Sequence, residues 1–216
     1  MLRAALRLRR LSTIVPASRM SSTSSLHSAP TVLIPVADGS EEIEAVTLAD
    51  VLVRGGAHVT LASVGQKDQN VVRMSRGVQL RADLAIEACV DLSFDAILVP
   101  GGLPGAHHLR DSTVLADLLK KQTHENKWYG AICAAPAVVL YTHGLLPSPA
   151  TGYPGFEKDL EGVDYRAHER VVVTGKCITS QGPGTAMEMG VKVVELLCGK
   201  DKAAQVAKAL LMPAAP

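Results

Sequence analysis

An α/β fold, a doubly wound and mostly parallel sheet with helices on both faces, is predicted by three observations. Continuous apolar runs of strand length alternate with helix-length amphipathic stretches from Thr31 to Leu211. Most of those runs close on turns rich in Gly, Pro or Asp. One strand, Lys127 to Ile132, passes directly into the alanine-rich helical run Ala134 to Leu140, with Cys133 at the corner. Sheets of this kind bind ligands beyond the C-terminal ends of their strands.

The elements follow in order. Thr31–Val36 reads as a central parallel strand. Asp38-Gly39-Ser40-Glu41 stops it and caps a helix. In that helix Ile43, Val46, Ala49 and Val53 recur at helical spacing, and Gly55-Gly56 ends it. His58–Ser63 is the second strand. Val71–Met74 and Val78–Arg81 form a peripheral hairpin or bend about Ser75-Arg76-Gly77. Phe94–Pro100 is another buried strand, closed by Gly101-Gly102. Ser112 caps a helix with a stripe of Val114, Leu115, Leu118 and Leu119. After the cysteine strand and its helix, Ala150–Pro154 reads as a short strand leaving the core. Arg170–Val173 and Lys176–Ser180 make a hairpin turning at Thr174-Gly175. Gly182-Pro183-Gly184-Thr185 opens a helix carrying Met187, Val191, Val194 and Leu197, stopped by Gly199. A last helix spans Ala203 to Leu211.

The composition excludes several classes. In 216 residues the formal charge is +1, which leaves no electrostatic footprint for nucleic acid. Hydrophobic residues make up 47% and aromatics 3%, so aliphatic side chains must fill the core of a single domain over 30–216. Cys89, Cys133, Cys177 and Cys198 are scattered without C-x-x-C spacing, which argues against a zinc site and a disulfide framework. No apolar run reaches the ~18 residues of a membrane span. Residues 1–29 differ from the rest: five arginines, many serines and no acidic residue. That is the composition of a transit peptide, mitochondrial or plastid. A disordered, untargeted tail is the alternative, and Met20 offers an internal start for a cytoplasmic form.

Cys133 has only small neighbours: Gly130, Ala131, Ala134 and Ala135. A tight strand-to-helix corner demands small residues, and Pro136 suits the first helical turn. A thiol there points at a helix N-terminus, whose N–H groups and dipole favour the thiolate. A small buried cysteine filling the joint is the bland alternative. Two further strand ends should meet this corner. Pro100-Gly101-Gly102 can offer backbone N–H groups to an oxyanion. Glu41 and Glu42 read as ordinary dipole complements. Glu44 can face the sheet edge, where partial desolvation would raise its pKa and suit it to proton transfer. His107 and His108 follow the Pro-Gly-Gly turn and have two readings: an approach to the site, or the favoured one, a solvated loop end.

Four segments carry a resemblance: Gly39–Glu44, Val99–Gly102, Ala131–Pro136 and Thr179–Thr185. In this order and spacing they resemble the DJ-1/PfpI superfamily, and its DJ-1 branch in particular, from about Thr31 to Leu211. The resemblance implies a flavodoxin-like fold and a homodimer. It implies Cys133 as nucleophile, Glu44 as proton shuttle, and backbone at Gly102 and Ala134 as the oxyanion pocket. Arg76 matches an arginine that approaches the site from the partner subunit. PfpI-type peptidases carry histidine directly after the cysteine, where this chain has Ala134, so peptidase activity is not expected. Tyr153 replaces a histidine that many members carry before Pro154. Tyrosine can donate to a substrate oxygen but is a poor base at neutral pH. The implied activity is a cofactor-free glyoxalase (D-lactate dehydratase type) acting on methylglyoxal or glyoxal, with protein deglycation as a related outcome. An oxidative-stress sensor built on an exposed, low-pKa Cys133 is the alternative.

Overall fold

The computed structural model describes residues 28–65 and 70–213. The segment read as a transit peptide lies outside the described residues, apart from Ser28 and Ala29.

Seven strands build the main sheet: β1 (Thr31–Val36), β2 (His58–Ser63), β5 (Leu84–Ala85), β6 (Ala96–Val99), β7 (Trp128–Ile132), β8 (Val171–Thr174) and β9 (Cys177–Ser180). Their order is β5-β2-β1-β6-β7-β9-β8, and only the β8–β9 pair is antiparallel. The five central strands β2, β1, β6, β7 and β9 thus run 2-1-3-4-5, a flavodoxin-like arrangement whose strand order reverses beside β1. A separate two-stranded ribbon joins β3 (Val71–Arg73) to β4 (Gln79–Arg81).

Central strands with both faces covered need unbroken apolar sequence. Leu33 and Ile34 in β1 and Ile97 and Leu98 in β6 are accordingly buried. Helices α1 (Glu42–Arg54) and α4 (Ala186–Cys198) pack together, and α5 (Lys200–Ala209) packs on α4. Gly190 makes the α1–α4 approach possible, since a Cβ there would lie 2.9 Å from the Val51 side chain. On the other side α2 (Gly105–Asp111) packs against α3 (Thr113–His124) and against a π-helical segment, Pro136–Tyr141. No helix of the described residues is long and apolar enough to cross a membrane.

Several sequence expectations need correction. In α1 the stripe Ile43, Val46, Ala49, Val53 is not the buried one. Val46 is 48% exposed, and Ala45, Leu48, Val51 and Leu52 face the core instead. Both faces are apolar, so periodicity alone could not choose between them. In α4 the expected stripe holds at Val194, which is buried beside Met189, Gly190 and Val193, but Met187 is exposed. The segment 150–154 is no strand; it makes a single bridge, Ala150 to Tyr165. His107 and His108 lie within α2, not on a loop.

Candidate active site

Cys133 sits where β7 ends, at φ 65°, a left-handed conformation that costs a non-glycine residue about 1–2 kcal/mol. Neighbouring backbone holds it there. Its N–H donates to the Ser180 carbonyl at 3.0 Å, at the end of β9, and its carbonyl accepts from the Tyr153 N–H at 2.7 Å. Small residues let these segments close in. A Cβ on Gly101 would stand 2.7 Å from the Cys133 Cβ, and one on Gly152 would stand 3.2 Å from the Cys133 carbonyl oxygen.

From the end of β1, which β6 separates from β7, α1 brings Glu44. The Glu41 side chain caps this helix, accepting from the Glu44 N–H at 2.8 Å, while the Glu41 N–H donates to the Gly101 carbonyl at 2.9 Å. That pair of bonds locks the first turn of α1 to the glycine turn after β6. The Glu44 side chain is fully buried. Its Oε2 accepts from the Gly101 N–H at 2.7 Å, and its Oε1 accepts no hydrogen bond of ordinary geometry. Burial pushes the Glu44 carboxyl up to about 7; the Gly101 N–H and the Cys133 thiol pull it down, and the Glu41 charge adds to the rise.

The thiol differs from the sequence expectation of an exposed, acidic cysteine. Cys133 is only 9% exposed, and burial followed by the negative charge of Glu44 pushes it up to about 12. The N–H groups of Gly102 and Ala134 act the other way, favouring the sulfur anion. Glu44 therefore ionises first while the thiol keeps its proton, so the pair holds two protons below about pH 7 and one above it.

The sulfur borders a pocket of about 380 Å³ shared by Glu41, Ser75, Arg76, Gly102, Leu103, Ala134, Tyr153, Phe156 and Pro183. Two larger clefts lie elsewhere, about 480 Å³ beside Asp38 and Ser112 and about 810 Å³ beside Trp128 and Cys198. Chemistry selects the smaller one, because it joins a thiol to a buried carboxyl and two backbone donors. Arg76 reaches it from the same chain, whereas the resemblance placed this arginine in the partner subunit's contribution. Glu42 fixes the Ser75-Arg76 turn: Ser75 Oγ donates to its Oε2 at 2.7 Å and the Arg76 N–H to its Oε1 at 2.8 Å. Despite burial, these bonds hold the Glu42 carboxyl below its ordinary value. His108 stays outside the pocket, its Nδ1 2.9 Å from the Asp38 carbonyl, and His107 lies 3.2 Å from Arg110. Among the described residues no cluster of three His, Cys, Asp or Glu is placed to hold a metal.

Sequence reasoning missed four contributions. Glu42 is a tether rather than a mere dipole complement. Gly101 donates to Glu44 as well as making the turn. Leu103 and Phe156 line the pocket without having been singled out. The Pro154-Gly155 pair before Phe156 was the available signal, since it marks a turn.

The model of the DJ-1/PfpI family matches residues 30–196. Over 189 residues the chain is 44% identical to "Protein DJ-1 homolog B" of Arabidopsis thaliana, covering 87% of this chain and 42% of that protein, so it spans less than half the length of that relative. It is 37% identical to "Glutathione-independent glyoxalase DJR-1.2" of Caenorhabditis elegans, covering 84% of this chain and 95% of that one. The solved structure "Toxoplasma gondii DJ-1, oxidized" superimposes with a TM-score of 0.81 at 46% identity, covering 86% of this chain and all of that one. The chain belongs to the DJ-1/PfpI family.

Proposed function

We propose that this pocket is the active site of a glutathione-independent glyoxalase that converts methylglyoxal to lactate and glyoxal to glycolate. The observation that carries the reading is the Glu44 carboxyl, raised to about 7, interacting with Cys133 between two backbone donors.

The thiol gives its proton to Glu44 and the sulfur adds to the aldehyde carbon. The carbonyl π pair moves to oxygen, where the Gly102 and Ala134 N–H groups meet the negative charge. Glu44 then protonates that oxygen, giving a hemithioacetal. As a carboxylate it removes the proton from the former aldehyde carbon, giving an enediolate, and returns it to the adjacent carbon; the proton on the first hydroxyl passes to the second oxygen, leaving the thioester of a 2-hydroxy acid. Water cleaves the thioester, releasing the hydroxy acid and regenerating the thiol. The net change is addition of one water, with no external oxidant or reductant. Tyr153 and Arg76 offer donors to the second carbonyl. Glycated amines and thiols present the same carbon, so protein deglycation extends the scheme.

The test is lactate formation from methylglyoxal by purified protein without glutathione. Turnover that survives Cys133→Ser unchanged refutes the assignment.

Oxidation by peroxide is a second reading, supported by the relative whose structure is described as oxidized. Two successive peroxides would carry the sulfur to a sulfinate, and protonated Glu44 would donate to one of its oxygens. The exposed face of α1, with Ile43, Val46 and Val53, suits a homodimer contact. Residues 1–29 are proposed to direct the chain to mitochondria; diffuse fluorescence from a fusion carrying them would refute this.

A further inference from the structure

We infer that the site selects 2-oxoaldehydes carrying an alkyl chain of several carbons over glyoxal and methylglyoxal, through an apolar wall formed by Leu103, Tyr153, Phe156 and Pro183. The inference rests on the dicarbonyl reading above for its chemistry and adds the substrate's side group.

The pocket is far larger than the reaction needs. At about 380 Å³ it falls within the range of roughly 300–1,000 Å³ that holds drug-sized ligands. A two- or three-carbon dicarbonyl anchored at Cys133 leaves most of it unfilled. What remains is divided by chemistry. Ser75 and Arg76 supply one polar part of the lining, while Leu103, Tyr153, Phe156 and Pro183 supply the apolar part. Leu103 is 51% and Tyr153 48% exposed, so apolar surface beside the nucleophile meets water when the site is empty. Covering such surface with substrate hydrocarbon is favourable.

The wall is built rather than incidental. Leu103 directly follows the oxyanion donor Gly102. Tyr153 is attached through its N–H to the carbonyl of Cys133, at 2.7 Å, and its ring lies 3.4 Å from where a Gly182 side chain would begin. Phe156 is brought to the same pocket by a reverse turn, in which its N–H donates to the Tyr153 carbonyl at 3.3 Å. Pro154 and Gly155 occupy the central positions, with Gly155 at φ 105°, the pairing of a type II turn. The backbone of both aromatic residues is therefore tied to that of Cys133.

Initial rates for glyoxal, methylglyoxal and 2-oxohexanal provide the test. Each fully buried methylene contributes roughly a fourfold gain. The expected kcat/KM for 2-oxohexanal is about tenfold or more above that for methylglyoxal, and Phe156→Ala and Leu103→Ala each lower that ratio about fivefold. The ratio does not depend on the fraction of each variant that is folded. A ratio near one, or one unmoved by both variants, overturns the inference and leaves the glyoxalase reading intact. A second arm needs no turnover: protection of Cys133 against iodoacetamide by propanal, butanal and hexanal, which form the hemithioacetal but lack the second carbonyl. Protection that strengthens with chain length in a protein that turns over no dicarbonyl supports the wall and removes the glyoxalase reading. Flat protection together with no turnover overturns both.

Discussion

Gly101 donates its backbone N–H to Glu44 Oε2 at 2.7 Å, which leaves the other carboxyl oxygen as the one free to exchange a proton with Cys133. A buried carboxyl anchored on one side and open on the other is costly to keep in a folded chain, and that cost makes the first prediction.

Glu44 ionises near 4.5 when exposed and near 7 in the folded protein. Below pH 4.5 both states hold the proton, and between the two values only the folded state does. The contribution to stability is therefore fully present at low pH and is lost as pH rises through about 7. Glu44→Gln removes this dependence. The variant should be more stable than the parent at pH 8, by up to about 3 kcal/mol, with the advantage vanishing near pH 4.5. Urea unfolding at the two pH values measures it.

The glycine turn admits no side chain. Gly102 is at φ 86°, and a Cβ there would stand 2.5 Å from both the Glu41 nitrogen and the Gly39 carbonyl oxygen. Gly102→Ala should displace an oxyanion donor, lowering kcat about 100-fold or more and destabilising the fold by at least ~1 kcal/mol. Steady-state kinetics and thermal unfolding report the two effects separately.

Ser75→Ala removes one of the bonds by which Glu42 holds the Arg76 turn, leaving the Arg76 N–H contact in place. The expected cost is about 1 kcal/mol of stability, with KM for methylglyoxal raised several-fold and kcat changed little.

Val46→Glu places a charge on the exposed face of α1. Sedimentation velocity should find the parent as a dimer and the variant as a monomer.

The alternation of strands and helices and the Cys133 corner were legible because they depend on local signals: unbroken apolar runs, small residues at 130–135, and the Pro-Gly-Gly stop. The inward face of α1 was not, because Ile43, Val46 and Val53 compete with Leu48, Val51 and Leu52 and only the packing of α4 decides between them. Helix α2 was hidden behind Leu103-Pro104-Gly105, which reads as a loop, and β5 has too few residues to show a period. Cys133 shows the limit most clearly. Sequence places it at a helix N-terminus, which favours the thiolate, but burial and the Glu44 charge are tertiary effects of opposite sign and they dominate.

The decisive measurement is the pH dependence of lactate formation by the parent and by Glu44→Gln, alongside the rate of Cys133 alkylation. The account predicts that kcat/KM in the parent falls below pH 7 as the pair takes up its second proton. It also predicts that Glu44→Gln loses at least about 100-fold in turnover while its thiol is still alkylated. A Glu44→Gln enzyme that forms lactate within threefold of the parent rate, with the same pH profile, would contradict it.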